Sequence, residues 1–304
     1  MSAERVAIVG AGAVGCYFGG MLARAGVPVT LIGRASHVDA IRANGLFLQR
    51  KDFEEYVRID ASTEISSVRQ AAIVLLCVKT IDTETAALAV APHLAADTLV
   101  VSFQNGVDNV ERIQRATGVP AIPAVVYVAS AMTGPGRVTH NGRGDIVIGP
   151  RSALTERLGR LFEDANIPCR ISQNIDGELW TKLLMNCAYN AISAITHSRY
   201  RDLTEDAEIQ NVMKELIREV VAVGTAAGVV LPGVEELIEA ATRLGEAMAT
   251  ATSSTEQDLR RGRPTEIDSL NGYVARRGRE LSVGTPVNAT VYALVKLIER
   301  QSQH

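Results

Sequence analysis

Long apolar runs are missing from this sequence: none approaches the roughly 18 consecutive residues of a membrane span, although 47% of the 304 residues are hydrophobic. A membrane partner is therefore not expected. Basic tracts are missing too. There are 31 Lys and Arg against 34 Asp and Glu, for a net charge of −3, and the 4% of aromatic residues form no patch interleaved with cations. That balance argues against a nucleic-acid partner. The four cysteines, Cys16, Cys77, Cys169 and Cys187, lack metal-ligand spacing. Three of them lie in apolar segments, so reduced thiols are expected, with neither a disulfide nor a metal. Five histidines offer no triad or metal spacing either. Internal repeats, low-complexity tracts and long linkers are lacking as well. An apolar strand begins within a few residues of the first, which leaves no room for a signal peptide and makes the cytoplasm the expected compartment.

What is present begins with that strand. Residues 5–9 are an apolar run of the buried type, leading directly into Gly10-Ala11-Gly12-Ala13-Val14-Gly15 and then into helical periodicity over 17–24. Strand, glycine turn and helix in that order mark a dinucleotide site. The first glycine permits the tight turn, the second lets the backbone approach a pyrophosphate, and the third allows close helix packing. The helix start adds N–H groups and the positive end of a dipole. The plainer alternative is a merely glycine-rich turn.

The second strand, 28–32, bears on which dinucleotide is used. An NAD site places Asp or Glu at its end to hold the ribose hydroxyls, whereas a 2′-phosphate calls for a cation. Here the residues are Gly33 and Arg34. With no carboxylate to repel a phosphate and a guanidinium to grip it, NADP is the expected cofactor; a solvated loop charge is the alternative for Arg34.

Further strand-like runs at 72–78, 98–101 and 121–128, with helical stretches between the earlier ones, predict a doubly wound, mostly parallel sheet of the Rossmann type over 1–172. Ligands of such sheets bind beyond the carboxyl ends of the strands. Lys79 and the Gln104-Asn105-Gly106 turn follow two of those ends. Lys79 could meet a cofactor phosphate or a substrate carboxylate, and Asn105 could hydrogen-bond near the nicotinamide. A solvated lysine and a turn chosen for its backbone are the alternatives. Short strand candidates at 137–140 and 145–148 predict a hairpin at the sheet edge. His140 on that hairpin reads as a surface residue.

Beyond about residue 172 the pattern becomes helical, with helices expected at 175–196, 205–227, 234–261, 265–280 and 286–301, the last capped by Thr285 before Pro286. The fold class is thus α/β, with an all-helical second domain over 173–304 and an active cleft expected between the two domains. Its most informative segment is 178–190, ELWTKLLMNCAYN, where Lys182, Asn186 and Asn190 recur at steps of four and form one polar stripe on an apolar helix. A lysine there must be paired, easily deprotonated or facing a wet cavity. It is either half of an ion pair or a general acid beside two amides. A second polar cluster holds Ser253-Ser254 and Pro264-Thr265-Glu266-Ile267-Asp268. Thr265 could cap a helix there, with Glu266 and Asp268 suiting its positive end. A carboxylate in that place could also grip a substrate hydroxyl.

Together, GAGAVG, CVKT at 77–80, QNG at 104–106, ELWTKLLMNCAYN and PTEIDSLNGY resemble the ketopantoate reductases, NADPH-dependent 2-dehydropantoate 2-reductases, over nearly the whole chain. The glycine motif is generic, whereas the ELWTKLLMN and TEIDSLNG blocks are specific. The resemblance implies reduction of a 2-keto acid on the pantothenate route. Lys182 would be the general acid, Glu266 would hold the substrate hydroxyl, and Asn186, Asn190 and Ser254 would be further substrate contacts. Asn105 would sit where cofactor and substrate meet, with Arg34 and Lys79 touching the cofactor. The sequence departs from the family pattern at Ala191, at Tyr200-Arg201 and at Ala251-Thr252, positions bordering the substrate rather than the cofactor. A relative acting on another 2-keto acid or ketone is the alternative they leave. A silent NADP-binding protein would have no reason to keep Lys182, and a dehydrogenase of 3-hydroxyacids or imines would be expected to lack the Lys182 and Glu266 pairing. Apolar positions on the C-terminal helices would allow a homodimer.

Overall fold

The computed structural model describes residues 4–301, and the chain divides into two compact units, Met1–Ile175 and Asp176–His304. The first unit runs β1 (Val6–Val9), α1 (Ala13–Arg24), β2 (Val29–Ile32), α2 (Ala35–Asn44), β3 (Leu46–Gln49), β4 (Glu54–Val57), β5 (Asp60–Ser62), β6 (Ile73–Leu76), α3 (Thr83–Val90), β7 (Leu99–Ser102), α4 (Asn109–Thr117), β8 (Ala121–Gly134), β9 (Arg137–Ile148), α5 (Ala153–Asp164) and β10 (Cys169–Ile171). Its strands stand in the order β4-β3-β9-β8-β7-β6-β1-β2-β5, with β10 beside β9.

The strands β5, β2, β1, β6, β7 and the start of β8 are parallel, as continuous apolar runs such as Val6-Ala7-Ile8-Val9 require when both faces are covered. Ile8, Leu31, Ile73 and Leu75 are fully buried. Each contributes roughly 1.5–3 kcal/mol by leaving water.

The expected edge hairpin is corrected by the structure. Arg137–Ile148 is one long strand, β8 extends to Gly134, and the two pair antiparallel in the interior of the sheet, with β3 on the far side of β9. The polar residues of 140–145 hid the continuity, because register shifts in the pairing let one strand bend without ending. His140 is not a free surface residue: its ring stacks on Tyr17 at 4.5 Å. No run predicted the short strands β3, β4, β5 and β10.

The second unit contains α6 (Ile175–Thr196), which begins at the boundary, α7 (Tyr200–Glu205), α8 (Ala207–Ala226), α9 (Val234–Ala247), α10 (Ser254–Arg260), α11 (Asn271–Glu280) and α12 (Pro286–Gln301). Two expected helices are corrected. The span 234–261 breaks after Ala247 and resumes at Ser254, because Ser253 turns its hydroxyl to the Glu256 N–H and caps a new helix. The span 265–280 begins as a 3-10 turn, Ile267–Ser269, before α11 starts at Asn271. Among the described residues no helix is long and apolar enough to cross a membrane, and no group of His, Cys, Asp or Glu is placed to hold a metal ion.

Candidate active site

In the first unit the site is built mainly from backbone. Gly10 follows β1 with φ +110°, and a Cβ there would lie 2.7 Å from the Cys77 carbonyl carbon. Only glycine meets both conditions. A Cβ on Gly15 would fall 2.2 Å from Gly10 O and 2.9 Å from an Ile8 methyl carbon, so α1 packs directly onto the turn. Gly12 is the opposite case, with nothing within 4 Å of where its Cβ would stand. That open space lies at the start of α1, whose first helical bond runs from Cys16 N to Gly12 O. The N–H groups before it have no partner within the helix, and no acidic residue occupies the first turn. A cradle of this shape and charge fits the pyrophosphate of a dinucleotide.

At the end of β2, a Cβ on Gly33 would stand 2.6 Å from that of Ala11, which bars an acidic side chain. Arg34 comes next, exposed, as the residue capping α2.

Lys79 and Asn105 follow β6 and β7, adjacent parallel strands, and both are half-buried. A buried polar network joins their loops. The Asn105 carbonyl accepts from the Thr80 hydroxyl at 2.7 Å and from Asn109 Nδ2 at 2.6 Å. Gln104 Nε2 donates to Thr83 Oγ1 at 2.6 Å, and that hydroxyl lies 2.9 Å from Asn109 Oδ1. Gly106 has φ +93°, so the Asn-Gly turn does serve its backbone. Sequence reasoning named Gln104 and Thr80 only within their motifs and missed Thr83 and Asn109, which open α3 and α4.

In the second unit α6 carries the stripe. Lys182 and Asn186 are half-buried and Asn190 is 3% exposed, so the stripe sinks into the core toward the end of the helix. Two other segments are tied to that same turn of α6. Ser253 Oγ donates to Asn190 O at 3.1 Å, and Ser253 N donates to Ser193 Oγ at 3.2 Å. Ser254, the first residue of α10, is thereby held beside Asn190, its own side chain exposed. Asn271 Nδ2 donates to Cys187 O at 3.1 Å, which docks the end of the segment carrying Glu266. Glu266 is half-buried.

The helix-start reading of the neighbouring residues is corrected. Thr265 Oγ1 accepts from Ile267 N at 3.2 Å and donates to Glu299 at 2.5 Å, so its cap serves a local turn. Asp268 pairs with Lys296 Nζ at 2.9 Å and accepts from the Tyr292 hydroxyl at 2.7 Å, rather than attending a dipole. Burial would raise its pKa, but those bonds outweigh burial and hold the carboxyl below its ordinary value.

Residues 6–153 match the model described as "Ketopantoate reductase PanE/ApbA", and residues 174–299 match its C-terminal counterpart. A 2-dehydropantoate 2-reductase of Pyrococcus horikoshii is 31% identical over 97% of each chain. The chain belongs to the ketopantoate reductase family. A family reductase from Ralstonia eutropha JMP134, solved as a crystal structure, is 48% identical with a TM-score of 0.95, over 99% of this chain and all of that one. A D-mandelate dehydrogenase solved with NADH and anilino(oxo)acetate is 24% identical with a TM-score of 0.93, over 99% of this chain and all of that one. That likeness is one of fold alone. Membership makes this protein an oxidoreductase that works with a nicotinamide cofactor, and the glycine cradle fits such a group.

The thiols take no part in this arrangement. Cys16 and Cys187 are buried, Cys77 and Cys169 half-buried. Burial pushes the Cys16 and Cys169 thiols up to about 12 and the other two higher still, which disfavours the thiolate form of each.

Proposed function

We propose that this protein is an NADPH-dependent 2-dehydropantoate 2-reductase, which reduces ketopantoate to pantoate for pantothenate synthesis in the cytoplasm. One observation carries the reading. A half-buried lysine lies on a helix to which the Ser254 and Glu266 segments are both hydrogen-bonded, in a chain whose two halves both match the family.

A nicotinamide cofactor, when held by the glycine cradle, would supply the hydride that the keto carbon needs. Negative charge then develops on the carbonyl oxygen, which the Lys182 ammonium would stabilise and protonate, so the product alcohol takes one hydride and one proton. General acid catalysis of this type contributes about 10²–10⁴-fold. Glu266 would accept from the substrate hydroxyl, and Asn186, Asn190 and Ser254 would hold the rest of the substrate. In the cofactor site, Gly10, Ala11, Gly12, Ala13, Val14 and Gly15 would cradle the pyrophosphate, Arg34 the 2′-phosphate and Lys79 a further phosphate. Asn105 would orient nicotinamide and substrate together.

A second reading, a reductase of another 2-keto acid, rests on the departures from the family pattern. They converge in space. Tyr200 N donates to Ala251 O at 3.0 Å, the Tyr200 ring lies 4.4 Å from that of Tyr189, and Ala191 is fully buried next in sequence to Asn190. A homodimer is proposed through the outer face of α12, where Leu294 and Leu297 are 44% and 46% exposed.

The test is NADPH oxidation with ketopantoate and a panel of 2-keto acids. Selective turnover of ketopantoate, falling about 10³-fold in Lys182→Ala with NADPH affinity kept, is expected. Turnover confined to another keto acid selects the second reading, and full turnover in Lys182→Ala rejects the lysine's role.

A further inference from the structure

The inward face of α12 mixes apolar and polar side chains, with Asn288 and Glu299 buried beside Val291 and Val295. Asn288, Tyr292, Lys296 and Glu299 recur at helical spacing on one face, where Asn288 is fully buried and Glu299 is 7% exposed, while Leu294 and Leu297 stand half in solvent. Burying a carboxylate and an amide is costly unless each is fully bonded, and a helix kept only for stability would bury leucines there. What the polar face touches explains it.

Its far end grips the residues flanking Glu266. Glu299 Oε1 accepts from Thr265 N at 2.8 Å and from the Thr265 hydroxyl at 2.5 Å. Lys296 Nζ lies 2.6 Å from Glu299 Oε2 and 2.9 Å from Asp268 Oδ2, and Tyr292 bonds the other Asp268 oxygen. Between these clamps Glu266 leads a three-residue 3-10 turn held by two bonds of its own, Ser269 N to Glu266 O and Leu270 N to Ile267 O. So short a turn takes its orientation from outside. Gly272 makes the approach possible, since a Cβ there would strike the Tyr292 ring at 2.8 Å.

The near end of α12 is tied to α8 and, through Asn271 of α11, to α6. Glu219 accepts from Val287 N, Asn288 N and Asn288 Nδ2, each at 2.8 Å, which fixes the first turn. Asn288 Oδ1 then accepts from Asn271 Nδ2 at 2.9 Å, and that same amide donates to Cys187 O on α6. Asn271 is fully buried and its Oδ1 has no hydrogen-bond partner. Its two donated bonds offset that cost.

We infer that α12 is a positioning helix for the reaction, in which Glu299 and Lys296 set the place of Glu266 while Asn288 and Asn271 register it against the turn of α6 that follows Lys182. The inference rests on the reading of Glu266 as a substrate ligand given above. Neither Glu299 nor Lys296 is itself assigned a contact with substrate.

The test is steady-state kinetics on the full chain with ketopantoate and NADPH, comparing Glu299→Ala, Glu299→Gln, Lys296→Met and Glu266→Gln, with NADPH affinity measured separately. Glu299→Ala is expected to raise KM for ketopantoate about tenfold while kcat and NADPH affinity change little, the loss of about one oriented hydrogen bond. Glu299→Gln, whose amide oxygen can still accept from Thr265, should recover most of that loss, and Lys296→Met should fall between. A purely structural role would lower the melting temperature and leave KM alone, and that result overturns the inference. Should Glu299→Ala fail to fold, Lys296→Met is read in its place, and an unchanged KM in it overturns the inference equally. Glu266→Gln separates the two levels: if it too leaves KM unchanged, the reading of Glu266 itself is wrong and the inference falls with it, whereas a raised KM in Glu266→Gln alone defeats only the role of α12.

Discussion

The cofactor half and the helical half solve the same problem with opposite means. In the first unit the ligand surface is made by removing side chains: Gly10, Gly12, Gly15 and Gly33 leave backbone and empty space where a Cβ would collide or intrude. In the second the proposed ligand surface would be made by adding them, with Lys182, Asn186 and Asn190 on α6, while buried Asn271, Asn288 and Glu299 hold other segments to fixed places. The pyrophosphate is common to both nicotinamide dinucleotides and can be read by N–H groups at a helix start. A particular keto acid needs particular side chains, and these need support.

This contrast can be broken most severely at Gly15. Valine there would drive its Cβ into Gly10 O, so Gly15→Val is expected to cost about 3 kcal/mol or more and to lower the melting temperature sharply. Gly12→Val makes the paired case. The site is open, so thermal stability should stay within about 0.5 kcal/mol while dinucleotide affinity falls at least about tenfold, the bulk displacing phosphate. Equal losses of stability in both would mean that the Gly12 space is not a ligand site.

A milder change sharpens the cofactor side. Arg34→Ala should weaken NADPH binding by about 10–100-fold, the worth of one charge-assisted contact, and leave NADH binding nearly unchanged; titration of both dinucleotides checks it. Equal loss for the two would reject the assignment to the 2′-phosphate.

The smallest effect concerns acid. The pKa of Asp268 is lowered in the folded state from an ordinary 3.8. The group therefore contributes stability that is present above about pH 3.8 and lost as pH falls through the lowered value. Lys296→Met removes the main partner, so the variant should be less stable than wild type near neutrality and the gap should close at low pH. Thermal unfolding at a series of pH values down to 3 reads this out, and a gap independent of pH would remove the linkage.

How much was legible follows the same division. The glycine turn was readable because its strand, turn and helix are contiguous, although the close approach of Cys77 to Gly10 shows only in the fold. Lys182, Asn186 and Asn190 were readable because four-residue spacing on one helix is a local fact. The hairpin was misplaced because β9 changes character along its length, and a strand buried between β8 and β3 cannot be told from an edge strand by its own residues. The break between α9 and α10 was missed because a serine mid-pattern resembles any other until it caps. Glu299 gave no sign at all. It looks like a surface residue near the end of an amphipathic helix, and only the arrival of Thr265, 34 positions away, shows what it holds.

By itself the sequence determined the fold class, the strand, glycine turn and helix at its start, and the polar stripe of α6, because each is set by local and periodic rules acting within a few residues. The tertiary structure alone decided which segments meet that stripe, which face of α12 turns inward and what restrains Glu266. Hydrogen bonds between residues tens of positions apart leave no periodic trace in the chain, and they exist only once burial has brought their partners together.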